Sequence, residues 1–229
     1  MTEDSPGRLI GTGRSADVYD IGDGRVLRRY RDGRPAAAVS READVMMYAR
    51  EHGVPVPQVF GVSESDIVMT RATGPTMLDV LARRPWTVRA QARLLARSHT
   101  LVHDVAAPDG LDAPFGDGAA LLHMDLHPDN VILTAQGPLI IDWEGAAQGP
   151  AASDVAMTWT IIAFSQVSAP PATAAAIRAV QGLLTRCFLR AAGPVDPSLL
   201  KAAVGRRLTD PHLLPAEVAR IRAVSADLE

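Results

Sequence analysis

His123-Met124-Asp125-Leu126-His127-Pro128-Asp129-Asn130, followed by Leu139-Ile140-Ile141-Asp142-Trp143-Glu144, decides how this chain is read. An Asp stands two residues after a His, an Asn five after that Asp, and a second Asp twelve after the Asn. Between them, Val131-Ile132-Leu133-Thr134 is a short apolar, β-branched run. Gln136-Gly137 is a turn signal, and Leu139-Ile140-Ile141 is a second apolar run. A hairpin centred on residue 136 sets Asn130 and Asp142 side by side at its open end, with Asp125 on the loop just before it. Two carboxylates and a carboxamide in one place suit a hard, oxygen-loving cation such as Mg²⁺, with one carboxylate left to accept a proton. The competing reading is a polar turn before a buried hairpin, with Asp125 and Asp142 as caps.

His-x-Asp-Leu-His-Pro-x-Asn followed by Ile-Asp-Trp resembles the aminoglycoside phosphotransferase family and its choline-kinase-like relatives, small-molecule kinases of protein-kinase-like fold. The resemblance implies an α+β, bilobal protein-kinase-like fold with a small β-rich N-lobe and a mainly helical C-lobe. It places the ATP-binding lobe at residues 1–71 and the catalytic and acceptor-binding lobe at 72–229. It implies ATP and Mg²⁺ as cofactors, Asn130 and Asp142 as metal ligands, and Asp125 as the catalytic residue that takes the proton of a small-molecule hydroxyl acceptor. The alternative is a nucleotide-binding module without catalysis, a pseudokinase.

The 229 residues are enough for one large domain or two small lobes. Apolar residues make up 47% and charged ones 21%, as in ordinary globular proteins, and the net charge of −3 implies no nucleic-acid partner. Cys187 is the one cysteine, so no intrachain disulfide can form and a reducing compartment is expected. The polar, acidic N-terminus does not look like a signal peptide, and the apolar window 155–164 is too short to span a bilayer. A cytoplasmic protein without a membrane partner is therefore expected. Lys201 is the only lysine among 23 basic residues, so arginine can stand where relatives use lysine.

Residues 8–20 read as strand, glycine turn, strand. Gly11 and Gly13 let backbone N–H groups approach phosphates, with Ser15 and Ala16 at the tip. Residues 25–30 form the next strand. In relatives it carries a phosphate-binding lysine; here Arg28 is the first candidate and Arg29 the alternative, on opposite faces of the strand. Arginine brings charge and a bidentate fork, but it is not a conservative exchange for lysine. A helix over about 37–51 offers Glu42 as the partner of Arg28, the other reading being an exposed helix charge. Gly53 and the prolines after it stop this helix ahead of strands at 58–62 and 67–70. The family's hinge, where backbone groups bond adenine, falls at Met69, Thr70 and Ala72, though Met69 reads equally as core.

A short helix after Gly74-Pro75 and a longer one from about 85 to 105 follow. His99 and His103 share a face of the longer one, without the pattern of a zinc site. Residues 107–118 read as a loop. His127 either approaches the transferred phosphate or stabilises the loop, and His123 reads as a brace. Asp154 is expected near a helix N-terminus as a cap, and the resemblance adds that it braces the catalytic loop. Helices over about 173–192, 197–208 and 215–226 complete the chain. Residues 151–229 carry eight basic and six acidic side chains, a balance that does not favour a polycationic acceptor.

Overall fold

The computed structural model describes residues 6–13, 15–31, 33–166, 169–210 and 213–226. The first five residues, Arg14, Asp32, residues 167–168 and 211–212, and residues 227–229 lie outside them. In chain order the elements are β1 (Arg8–Thr12), β2 (Ala16–Gly22), β3 (Arg25–Tyr30), α1 (Ala36–Glu51), β4 (Val59–Val62) and β5 (Asp66–Thr70). They continue with α2 (Met77–Arg83), α3 (Val88–His103), β6 (Ala120–Leu122), β7 (Val131–Thr134), β8 (Gly137–Ile140) and β9 (Ala147–Gly149). The last are α4 (Ala151–Phe164), α5 (Pro171–Ala192), α6 (Pro197–Arg207) and α7 (Pro215–Ala226).

The chain divides into two compact units, Met1–Gly74 with Ile132–Ala146, and Pro75–Val131 with Ala147–Glu229. The first is thus larger than a simple cut at residue 71, because the hairpin of β7 and β8 belongs to it. Two contacts tie the hairpin in: Ile140 N–H donates to the Pro55 carbonyl at 2.8 Å, and Gly74 lies against the Leu133 carbonyl. Gly74 has φ +155°, and a Cβ there would stand 2.1 Å from that oxygen, so no side chain fits. The hairpin turn sits one residue earlier than Gln136-Gly137 suggests, since Gly137 already opens β8. Thr134 closes the turn, its hydroxyl donating to the Gly137 carbonyl and accepting from Gln136 N–H.

The first unit is built on a five-stranded antiparallel sheet in the order β1-β2-β3-β5-β4. The period of two along β3 buries Val26, Arg28 and Tyr30 on one face. On α1, Val39, Glu42, Ala43, Met46 and Ala49 are buried at helical spacing. Each fully buried aliphatic side chain contributes roughly 1.5–3 kcal/mol. A charged Arg and Glu set among them need each other.

The second unit is helical around α4, whose residues from Ser153 to Thr158 are all buried. Leu122, Met124, Ala147, Ala156, Met157 and Ala203 form one apolar cluster. β6 and β9 pair antiparallel, Ala120 opposite Gly149; strands of three residues carry too little pattern to be read in advance. Asp196 caps α6 as its sequence suggests, accepting from Ser198 N–H at 2.8 Å, with Pro197 at the first helical position. Among the described residues no helix is long and apolar enough to cross a membrane.

Candidate active site

In the first unit, Arg28 rather than Arg29 turns to the covered side of the sheet. Arg28 is 9% exposed, whereas Arg29 pairs with Asp66 at the surface. Arg28 forks between two carboxylates, Nη1 donating to Glu42 Oε1 and Nη2 to Asp142 Oδ1, both at 2.6 Å. Burial works against its charge, but Glu42 and Asp142 outweigh burial and hold its pKa above the usual arginine value. This is the pairing expected of the family's lysine, and the helix-charge alternative for Glu42 is excluded by its 2% exposure.

Glu42 has two further partners that the sequence did not announce. Tyr30 donates its hydroxyl to Oε2, and Arg34 lies 3.7 Å from the same oxygen. Burial nevertheless raises the Glu42 pKa, against the lowering pull of Arg28 and Tyr30, and Asp142 adds to the rise. Arg34 also pairs with Glu144, which accepts from the Ser15 hydroxyl at 2.9 Å. The guanidinium carbons of Arg28 and Arg34 lie 5.0 and 4.6 Å from the centre of the Tyr30 ring. Two arginines and three carboxylates thus form one ionic cluster. Glu144 is marked only by following Asp142 at an interval of two. Arg34 sits in a polar turn with no signal at all.

Asp142 itself adopts left-handed backbone, φ +69°. Such geometry costs of order 1–3 kcal/mol in a residue with a Cβ and concentrates at functional sites. Its Oδ1 is held by Arg28, and Oδ2 has no donor among the described residues. The glycine segment departs from expectation. Gly13 N–H donates to the Ala16 carbonyl at 2.8 Å, so it closes the turn, and Ala16 lies buried at the start of β2 rather than at the tip. Gly11 lies within β1, and Ser15 occupies the turn. Of the hinge residues, Met69 is buried and paired with Val26, and Thr70 N–H donates to the Gln58 carbonyl. Ala72 is the one of the three whose backbone N–H and C=O lack partners among the described residues.

In the second unit, Asp125 lies on the loop between β6 and a 3₁₀ turn at Pro128–Asn130. Met124 before it is also left-handed, φ +69°. Asn130 Nδ2 donates both to the Asp125 carbonyl at 2.9 Å and to its Oδ2 at 3.1 Å. That leaves the Asn130 amide oxygen and Asp125 Oδ1 with no donor among the described residues. His127 takes the loop-stabilising role of the two expected for it: Nδ1 accepts from Asp129 N–H and fixes the turn, and Nε2 lies 3.6 Å from Asp125 Oδ2. Burial acts to raise the Asp125 pKa, but the His127 hydrogen bond and the charges of His127, His123 and Arg207 outweigh it and hold the carboxyl below its ordinary value.

Asp154 is not a helix cap. α4 begins at Ala151, and the carboxylate of Asp154 turns away from the helix end toward the catalytic loop. It accepts from His123 N–H at 3.1 Å, from Met124 N–H at 2.7 Å and from His103 Nε2 at 2.9 Å. Burial would raise its pKa, yet His103 and the neighbouring histidines hold it far below the usual carboxylate range. This is the bracing role that the resemblance implies. His99 and His103 are both engaged in hydrogen bonds to the body of the unit, His99 to Thr158 and His103 to Asp154.

The oxygen donors suit Mg²⁺. In the second unit the Asn130 amide oxygen has no donor among the described residues, and in the first unit neither has Asp142 Oδ2; each by itself is an oxygen of the kind a hard cation takes.

Residues 6–119 and 111–193 match the phosphotransferase enzyme family. Over 40 residues the chain is 50% identical to a thiamine kinase of Salmonella newport, a stretch that covers 18% of this chain and 15% of that relative. The choline kinase LicA from Streptococcus pneumoniae aligns with a TM-score of 0.61 at 11% identity, covering 97% of this chain and 92% of that one. The amicoumacin kinase hAmiN, solved with AMP-PNP, Ca²⁺ and Ami, aligns with a TM-score of 0.58 at 12% identity, covering 98% and 88%. At these identities the solved structures establish the shared fold, that of protein-kinase-like small-molecule kinases.

Proposed function

We propose, from the premise that the chain belongs to the phosphotransferase enzyme family, that it moves the γ-phosphoryl group of ATP to a hydroxyl of a small molecule. The observation that carries this reading is the setting of Asp125. Its peptide and one carboxylate oxygen are fixed by Asn130, its pKa is held low, and its other oxygen is open. Such a group orients an acceptor hydroxyl and receives its proton as the acceptor oxygen bonds to the γ-phosphorus and the bond to the β-phosphate oxygen breaks.

Arg28, locked by Glu42, offers fixed positive charge to the phosphates. Gly11, Gly13 and Ser15 border them, and the free backbone groups of Ala72 meet the adenine. Asn130 and Asp142 are the residues whose oxygens would each be offered to Mg²⁺, which would neutralise phosphate charge. Positioning and charge neutralisation supply most of the catalysis in a loose phosphoryl-transfer transition state. The printed names of the relatives supply the acceptors to try first, and the single cysteine makes the cytoplasm the proposed place of action.

The test is ADP release from Mg-ATP with thiamine, choline and amicoumacin as acceptors, and Asp125→Ala as the blank. Acceptor-dependent release that disappears in the blank is the expected result. Equal release by the blank removes Asp125 from the mechanism.

A further inference from the structure

Three contacts in the second unit call for more protons than their side chains carry. His99, 1% exposed, places Nδ1 2.9 Å from the Leu95 carbonyl oxygen and Nε2 2.9 Å from Thr158 Oγ1. Thr158 Oγ1 in turn lies 2.9 Å from the Leu126 carbonyl oxygen, to which its hydroxyl can donate. A neutral imidazole has one N–H and a hydroxyl has one O–H. Two protons cannot fill three contacts, so a third would require the imidazolium.

The surroundings oppose that charge. Burial pushes the His99 pKa down to about 4. Asp154 on α4 pulls it upward, while His103 on α3 and His123 before the catalytic loop push it down. α5 presents only the ring of Phe188, its centre 5.1 Å from that of His99. At neutral pH one of the three contacts therefore has no proton.

The identities of the acceptors decide which. Leu95 lies in the interior of α3, where its carbonyl already receives the backbone N–H four residues on. Leu126 is fully buried outside any helix or strand, and Thr158 is the donor to its carbonyl among the described residues. An empty buried acceptor is the more unfavourable of the two. The hydroxyl proton thus belongs to Leu126, and the imidazole proton to Nε2.

We propose that Thr158 and His99 are positioning residues of the catalytic loop: the Nε2–H tautomer of His99 turns the Thr158 hydroxyl onto the Leu126 carbonyl and fixes the Leu126–His127 peptide, one residue beyond Asp125. The proposal rests on the reading of Asp125 as the catalytic residue. It gives the paired histidines of α3 parallel tasks. His103 and Asp154 grip the N–H groups of residues 123 and 124, before Asp125. His99 and Thr158, each four residues away on the same helices and hence on the same faces, grip the carbonyl just after it.

Two readouts test it. Side-chain ¹⁵N NMR at pH 7 is expected to show the Nε2–H tautomer of His99 in the native chain and the Nδ1–H tautomer in Thr158→Val, where no hydroxyl remains to accept. Hydrolysis of Mg-ATP, with water as acceptor, is expected to show kcat about tenfold lower in Thr158→Val with KM for ATP within about twofold, and recovery in Thr158→Ser. An Nδ1–H tautomer in the native chain overturns the assignment, because Thr158 then donates to His99 and not to Leu126. Unchanged kcat in Thr158→Val overturns the positioning role. If the native chain hydrolyses no ATP, kcat is read with the acceptor that supports ADP release; silence with every acceptor overturns the phosphotransfer reading alone, and the tautomer pair still decides the direction of the Thr158 hydrogen bond.

Discussion

Glu42 and Asp154 are both carboxylates enclosed by protein, and their environments move them in opposite directions. Burial raises Glu42, and the cations around it do not fully compensate. Asp154 is completely buried, yet it is held far down, because the hydrogen bond from His103 and the charges of His99, His103 and His123 outweigh burial, and two backbone N–H groups also converge on it. The difference lies in the neighbours. Glu42 shares its arginines with Asp142 and Glu144, so three negative groups compete for two positive ones. Among the described residues no second carboxylate shares the donors of Asp154. The first unit therefore holds its functional groups in an ionic cluster with one negative charge in excess, suited to receive a cation. The second holds them on fixed backbone dipoles that need no rearrangement.

The sharpest contrast is between the two functional carboxylates. Asp125→Asn is expected to lower turnover by roughly 10²–10⁴-fold, the usual contribution of a positioned proton acceptor, with Mg-ATP affinity nearly unchanged. Asp142→Asn is expected to weaken Mg²⁺-dependent nucleotide binding, measured by titration calorimetry. If both variants lose affinity and turnover alike, the two units do not divide the work in this way. Next in size is Asp154→Ala, which leaves the N–H groups of His123 and Met124 without an acceptor and removes the partner of His103. A loss of about 3–5 kcal/mol in urea unfolding is expected, as for other broken buried charge networks. A loss under about 1 kcal/mol would mean that the loop holds its own shape.

The elements that carried the reading were legible where a short period exposes them. The resemblance pointed to Arg28, with Arg29 as its alternative, and to Glu42; the alternation of β3 said that only one of the arginines could face inward, and the buried faces of β3 and α1 carry Arg28 and Glu42. Asp125, Asn130 and Asp142 stood out by spacing, and the hairpin between them formed within one residue of its expected turn. What escaped notice depends on partners distant in sequence. Arg34 and Glu144 are 110 residues apart, and nothing near either announces the other. Asp154 looks like a cap because Ser153 and Asp154 stand at the start of an apolar run. Only the position of Ala151 as the first helical residue moves it one turn inward, and only the loop 30 residues earlier explains its direction. Thr158 carried no signal beyond lying one turn after Asp154.

Protonation sharpens the comparison at a smaller scale. The folded pKa of His99, about 4, lies below its ordinary value of 6.5. Between these values the unfolded chain binds a proton that the folded chain refuses, so stability falls as pH drops from about 6.5 to about 4 and is insensitive to this group above that range. A shift of this size corresponds to about 3 kcal/mol. Urea unfolding across that range should show the decline in the native chain and its reduction by that amount in His99→Gln, which has no titrating group. Parallel curves for the two chains would place His99's titration elsewhere. Asp154 acts in a separate window: its lowered pKa supports stability above about pH 4, and that support is lost only under stronger acid.

The smallest effect belongs to Glu42. Its raised pKa means that ionisation in the folded state is disfavoured relative to the unfolded chain, so its contribution falls as pH rises past its ordinary value of 4.5. Glu42→Gln keeps the shape and an acceptor for Arg28, its amide N–H can donate to the Tyr30 hydroxyl oxygen, and it removes a charge from a cluster with one negative group too many. A cost of roughly 1–2 kcal/mol is expected, from the weakened charge-assisted bond to Arg28 against the relief of burial and of repulsion from Asp142. The loss in Asp154→Asn should be larger, because an amide nitrogen turned toward either loop N–H repels it and no excess charge is relieved. The pair of Gln and Asn variants, compared by urea unfolding at pH 7, isolates the charge from the packing. If Glu42→Gln proves as damaging as Asp154→Asn, the cluster in the first unit is as fully compensated as the brace in the second, and it has no surplus of negative charge to offer a metal ion.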